Sequence, residues 1–191
     1  NVLFGVYDEN KNLIKKIYTD KNGYAEITNL KLGVYYIKEL ETSKGYILDN
    51  KEYKIELTYK DQYTSIVTSN INLKNYLEKG TLEFTKTDLV NGEVIPNTLI
   101  EIYNENDELI FSGRTNENGK IIIPGLRYGK YYIVEKEATE GYNLNPNKMW
   151  FEILEDGKVV KSTMTDEKMV VEVPNTNKND NLVLGMISLI S

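Results

Sequence analysis

An all-β fold, arranged as two tandem Ig-like β-sandwich domains, is what the sequence predicts, and three observations predict it. Thr, Ile, Val and Tyr are abundant, with 15 Tyr against 4 Phe in 191 residues, a usage that suits strands carrying amphipathic rings near a surface. Turn signals recur about every ten residues with no sustained helical periodicity. The chain also repeats itself: Gly23 and Gly119, Leu30 and Leu126, Gly33 and Gly129, Glu39 and Glu135, and Tyr46 and Tyr142 all share one offset of 96 (119 less 23), without a gap.

A period this long exceeds a solenoid unit, so each copy is expected to be a separate small domain with its own core. The expected division is a first domain over 1–79, a second over 80–174, and a tail over 175–191. In order along each copy, "YDENKNLI" lies on "YNENDELI", whose Asn and Asp runs read as turn chemistry. "TDKNGYAEITNL" lies on "TNENGKIIIPGL", with the Asn-Gly signature of tight hairpins. "LKLG" and "LRYG" close the strand that follows, and "YYIKELETSKGY" and "YYIVEKEATEGY" read as a strand ended by a Gly turn. The second copy opens with a further strand, "TLEFTKTD" at 81–88, whose counterpart would fall before Asn1. The first domain is therefore expected to lack its N-terminal strand.

Composition removes several function classes. With no Cys and no His, the chain has no disulfide, no Ser-His or Cys-His nucleophile pair and none of the commonest zinc ligand. A formal charge of −6 argues against nucleic acid, which is held by clustered Lys and Arg. The Asn- and Asp-rich turns lack the spacing of a calcium loop, so neither metal nor cofactor is expected. Trp150 reads as core or strand surface.

Strand parity locates the chemistry. Side chains alternate across a strand, so Tyr35, Ile37 and Glu39 share a face opposite Tyr36 and Lys38, and Glu39 points inward. Tyr131, Ile133 and Glu135 follow suit. In "TLEFTKTD" the apolar face of Leu82 and Phe84 continues to Lys86, and in "STMTDEK" Met164 and Asp166 fall together. The second core thus receives a Lys, a Glu and an Asp. Burial disfavours every charged form. A neutral Lys86 amine held beside Asp166, with a protonated Glu135 polarising the Asp166 carbonyl, can form an amide with loss of water, and three charges leave the core.

These residues resemble the Cna protein B-type (SpaA-like, prealbumin-like) domains of Gram-positive surface proteins and pilins. The likeness rests on "FTKTD" in the first strand, "YYIVEKEATEGY" as the so-called E-box, and a last strand with the Asn or Asp that closes an isopeptide bond; it covers about 1–174. It implies that Lys86 is the nucleophile and Glu135 the promoting acid, with Glu39 its equivalent in the first domain. Asp166 is the preferred acceptor, and Asn175 of "VVEVPNT" shares parity with Val171 and Val173 as the alternative. In the first domain the acceptor by pattern is Asn75, whereas the strict offset selects Asn70; its lysine partner is absent from the chain. Val173, Pro174, Asn175, Thr176 and Asn177 resemble the sortase signal LPXTG, with Val for Leu and Asn for Gly, ahead of an apolar run from Leu182 to Ile190.

The expected function is a structural stalk or pilin-like module of a cell-surface adhesin, outside the cell and anchored to the wall or membrane, whose only chemistry is self-directed amide formation. Its expected partners are neighbouring domains of the same protein, with sortase, the cell wall and a host ligand beyond them. The alternative is a surface module that binds a glycan or a host matrix protein through exposed tyrosines.

Overall fold

The structure is a computed structural model, and it describes residues 1–170. Strands β1 (Leu3–Tyr7), β2 (Leu13–Tyr18), β3 (Gly33–Glu41), β4 (Tyr46–Ile47), β5 (Glu52–Leu57) and β6 (Tyr76–Leu77) belong to the first copy. Strands β7 (Lys79–Asp88), β8 (Leu99–Asn104), β9 (Leu109–Arg114), β10 (Lys120–Arg127), β11 (Gly129–Glu137), β12 (Met149–Ile153) and β13 (Val159–Asp166) follow. Among the described residues there is no helix.

Residues 79–166 form two facing sheets, one ordered β10-β7-β13 and the other β12-β11-β8-β9. Alternation decides what lies between them. The three-stranded sheet contributes Leu82, Phe84, Ile121, Ile123, Leu126 and Met164 to one core, and the four-stranded sheet contributes Ile100, Ile102, Tyr131, Ile133, Phe151 and Ile153. Burying each of these larger side chains stabilises the sandwich by about 1.5–3 kcal/mol against leaving it in water. Tyr131 and Phe151 stack at 5.3 Å between ring centroids, and the Tyr131 hydroxyl donates to the Arg127 carbonyl at 2.8 Å, so the ring is buried without orphaning its polar end.

The repeat is visible in the strands. β2 and β9, and β3 and β11, match residue for residue at the offset of 96 (109 less 13), and β1 and β5 overlay β8 and β12. The first copy builds a sheet ordered β2-β1-β3-β5 and a two-stranded β4-β6 ribbon. Residues 24–31 and 63–70, the counterparts of β10 and β13, are not in strands. The reason is topological: in the second copy β7 lies between β10 and β13 and pairs with both, and residues 1–191 contain no counterpart of β7 ahead of β1.

The Asn-Gly turns differ from the hairpins expected of them. The turn Asn116–Gly119 is closed by Gly119 N to Asn116 O at 2.8 Å, but β9 pairs with β8 while β10 pairs with β7. The turn carries the chain from one sheet to the other, because the local geometry of a tight turn does not dictate which strands share a ladder.

Candidate functional site

Lys86 occupies the fourth inward position of β7, after Gly80, Leu82 and Phe84. Its backbone is held on both sides: the Lys86 N–H donates to Gly119 O at 2.8 Å, and Lys86 O accepts from Ile95 N at 2.9 Å. Glu135 comes from β11, where it lies opposite Ile100 of β8, and a bulge follows at once, since the next pairing is Glu137 with Leu99. The first copy has the same irregularity, with Phe4 opposite Glu39 and Leu3 opposite Glu41. A bulge bends its strand and re-aims the adjacent side chain, so both glutamates are set at a point where the ladder turns. Asp166 is the last residue of β13, and its carbonyl accepts from Leu89 N at 2.9 Å.

The three side chains meet in the dry core, each wholly shielded from solvent. Lys86 Nζ lies 2.8 Å from Glu135 Oε2 and in close contact with Asp166 Oδ1. Among the described residues Glu135 Oε1 and Asp166 Oδ2 have no hydrogen-bond partner. Two carboxylates against one ammonium would leave a net negative charge where no water can solvate it, and a single additional proton removes that charge. Burial pushes the Glu135 carboxyl above its ordinary range; Lys86 opposes the shift, and the Asp166 charge adds to it.

In the first copy Glu39 is 3% exposed. Its Oε1 accepts from Asn75 Nδ2 at 2.7 Å, and Asn75 Nδ2 also lies 3.0 Å from Thr42 Oγ1. Asn70, the residue selected by strict offset, is exposed. Among the described residues no cation pairs with Glu39, and beside the pair lies a groove of about 240 Å³ lined by Phe4, Ile17, Ile37, Ile71 and Leu73. Asn175, the alternative acceptor, and the rest of the sorting-like stretch, Val173, Pro174, Thr176 and Asn177, lie outside the described residues, as does the apolar run after them.

Other buried groups were not singled out by sequence reasoning. Asp88, 2% exposed, ends β7 on the face of Lys86; it accepts from Val90 N at 2.8 Å and Asn91 N at 3.1 Å and from the Tyr142 hydroxyl at 3.1 Å. Extending the parity of Leu82, Phe84 and Lys86 by one step would have found it. On the outer face of the four-stranded sheet Tyr132 is buried between Tyr103, at 5.2 Å, and Trp150, at 4.9 Å, and Trp150 itself is 56% exposed. Alternation assigns Tyr132 to the outside correctly, and its neighbours' rings, not the core, cover it.

A β-sandwich whose core holds a lysine between two carboxylates, preceded by a second copy of the same E-box strand, defines a class of modular all-β domain. The chain belongs to the SpaA prealbumin-like fold domain family, whose model matches residues 1–72 and 80–168. It is 41% identical over 73 residues to the trypsin-resistant surface T6 protein of Streptococcus pyogenes serotype M6, matching 38% of this chain and 13% of that protein. It is 28% identical over 176 residues to serine-aspartate repeat-containing protein D of Staphylococcus aureus, covering 83% of this chain and again 13% of the relative. The chain thus spans a small part of the curated relatives it matches. Among solved structures it is similar to the Bacillus anthracis TIE protein, with a TM-score of 0.77 at 36% identity over 87% of this chain and 31% of that one. A C-terminal fragment of the pilus adhesin SpaC from Lactobacillus rhamnosus GG shares the fold, with a TM-score of 0.57 at 16% identity over 89% and 90% of the two chains.

Proposed function

We propose that the second copy is a self-crosslinking, load-bearing module of a Gram-positive surface or pilus-type protein, in which Lys86 and Asp166 become joined by an amide. The observation that carries this reading is the contact of one lysine Nζ with two carboxylates, all three groups sealed from solvent.

The chemistry follows from the proton inventory. Lys86 passes a proton to Asp166, which leaves a neutral amine, an Asp166 acid and a Glu135 acid whose proton the dry site favours. The amine attacks Asp166 Cγ while Glu135 gives its proton to the carbonyl oxygen and takes one from the nitrogen. Collapse expels one oxygen as water, the new C–N bond remains, and Glu135 ends protonated as it began. Proximity supplies most of the acceleration, since the reacting groups are already in contact. Glu135 is a catalytic residue of a single turnover, and nothing is released but water.

In the first copy Glu39 and Asn75 supply the acid and the acceptor, and among the described residues no lysine meets them, so the described residues form one amide and not two. The proposed units are 1–79 and 80–174, with 175–191 as a sorting-like tail. Family membership and the surface proteins among the relatives support a place outside the cell, in a stalk joined to neighbouring domains; wall attachment by a sortase rests on the 173–177 motif.

Intact mass measurement of the denatured full chain tests the reading. A mass lower by one water supports Lys86 with Asp166; loss of ammonia instead would move the acceptor to Asn175. A mass equal to the sequence mass would sink the proposal.

A further inference from the structure

The segment that follows the E-box turn reaches the buried triad at Glu135. It runs beside the chain leaving β13: Asn143 N donates to Glu167 O and Met169 N to Gly141 O, both at 2.9 Å. Within it one residue reaches both halves of the site. The Asn145 N–H lies 3.3 Å from Glu135 Oε2, and its side-chain amide donates to Thr165 O at 3.0 Å, the carbonyl of the peptide that enters Asp166. The Asn145 Oδ1 accepts from Asn147 N at 3.1 Å, which fixes the side chain in an Asx turn.

The first copy provides an internal comparison. Asp49 stands at the same offset (145 less 49 is 96), its N–H donates to Glu39 Oε2 at 3.0 Å, and its Oδ1 accepts from Lys51 N at 3.0 Å. The backbone contact and the Asx turn are therefore common to both copies. The donor to the acceptor strand is not: a carboxylate cannot donate, and Asp49 Oδ2 instead takes the Tyr53 hydroxyl. The copy that holds all three reacting groups is the one with an amide at this position.

We infer that Asn145 is a positioning residue for amide formation, setting the Glu135 carboxyl against Asp166 by bonding the one through its backbone and the strand of the other through its side chain. The inference rests on the reading that Lys86 and Asp166 join. Asn145 touches no reacting atom of Lys86 or Asp166; it acts through Glu135 and through the Thr165 peptide. A side chain with two rotatable bonds, already locked by its own turn, holds that spacing at little entropic cost.

The test is time-resolved intact mass of the full chain made by cell-free synthesis, following the loss of one water. Wild type must show the loss; if it does not, the crosslink reading fails by itself, whatever Asn145 does. Asn145→Ala and Asn145→Asp are both expected to slow the loss by roughly tenfold, the worth of one aligned hydrogen bond at the barrier. Asn145→Asp keeps the turn, and its folding is supported by Asp49 in the first copy, so it decides the matter should the alanine variant fail to fold. It also gives a readout that a loosened fold would not. A carboxylate on the residue whose N–H lies 3.3 Å from Glu135 Oε2 favours the protonated form of Glu135, so the upper limb of the rate-pH profile should move to higher pH, whereas a purely structural defect lowers the rate evenly. Wild-type rates in both variants, or an even slowing in Asn145→Asp, would overturn the assignment.

Discussion

Lys86 and Asp166 meet although they are two residues out of register: in the parallel ladder Lys86 lies opposite Met164 and Asp166 opposite Asp88. In a parallel pair the N-terminus of one strand and the C-terminus of its neighbour are at opposite ends, so tension applied along the chain loads β7 against β13 in shear. With the amide in place, force entering at Lys79 runs along β7 to residue 86, crosses to Asp166 and leaves. The 80-residue interval between them, with both sheets' remaining strands, carries none of it.

The first prediction concerns what the bond contributes at equilibrium. Lys86→Met removes the nucleophile while keeping an unbranched side chain of similar length in the core. By the loop-entropy estimate a crosslink closing that interval contributes about 4–5 kcal/mol. Urea denaturation of the variant should therefore show a midpoint well below wild type, with the far-UV spectrum unchanged. Equal midpoints would mean that no crosslink constrains the unfolded chain.

Glu135→Ala separates folding from chemistry. The variant keeps Lys86 beside Asp166 and loses the proton carrier, so it should fold and retain its full sequence mass. If the alanine variant still loses water, Glu135 has no part in the reaction.

How much of this was legible in the sequence depends on what each signal encodes. Parity along "TLEFTKTD", "YYIVEKE" and "STMTD" placed Lys86, Glu135 and Asp166 on inward faces, because alternation is a local property of any strand. The fold class and the repeat were equally readable, since an unbroken offset needs no structure. What parity cannot encode is which strands are neighbours. The Asn116–Gly119 turn therefore looked like a hairpin, and the two bulges beside Glu39 and Glu135 left no mark in the pattern. Asn145 was invisible for the same reason: its two contacts lie 10 and 20 residues away in sequence and join segments that only the completed sandwich brings together.

The raised proton affinity of Glu135 gives a pH prediction in the uncrosslinked Lys86→Met background. Burial favours the neutral acid in the folded state, and loss of Lys86 removes the cation that opposed it. The folded form then binds more protons than the unfolded form, so stability is present at low pH and falls as pH rises through the ordinary carboxylate range and beyond. Melting temperature should decline over that interval, and adding Glu135→Gln should flatten the curve. A melting temperature that rises with pH across this range would contradict the sign.

Gly119 is a backbone requirement of the site. Its φ is +66°, and a Cβ there would stand 2.6 Å from Lys86 O, the carbonyl that accepts from Ile95. Gly119→Ala therefore adds left-handed strain to a backbone collision, at a cost of about 1–3 kcal/mol. The expected result is a lower melting temperature together with slower amide formation. A variant with wild-type crosslinking and stability would show that the turn relaxes freely.

The outer face carries a prediction independent of the amide. In the second copy Lys148 Nζ sits 3.9 Å from the Tyr132 ring centroid and 3.9 Å from Asp107 Oδ1. In the first, Lys11 Nζ sits 3.1 Å from the Tyr36 centroid and 2.5 Å from Glu52 Oε2. The offset maps Lys11 onto Asp107 and Glu52 onto Lys148, so the two copies hold the same arrangement with its charges exchanged, and each keeps a cation over the tyrosine. What the site requires is an ammonium on that ring with a carboxylate beside it, from whichever strand. Lys148→Glu alone should cost about 1 kcal/mol, because it removes the cation and sets two carboxylates together. Adding Asp107→Lys restores the arrangement of the first copy and should recover most of that loss. Recovery stays incomplete because the Tyr132 hydroxyl, now donating to Asp107 Oδ1 at 2.7 Å, loses its acceptor. A double-mutant cycle by urea denaturation in the Lys86→Met background measures the coupling, expected at about 0.5–1 kcal/mol. Additive losses would mean that the exchanged charges are unrelated surface residues.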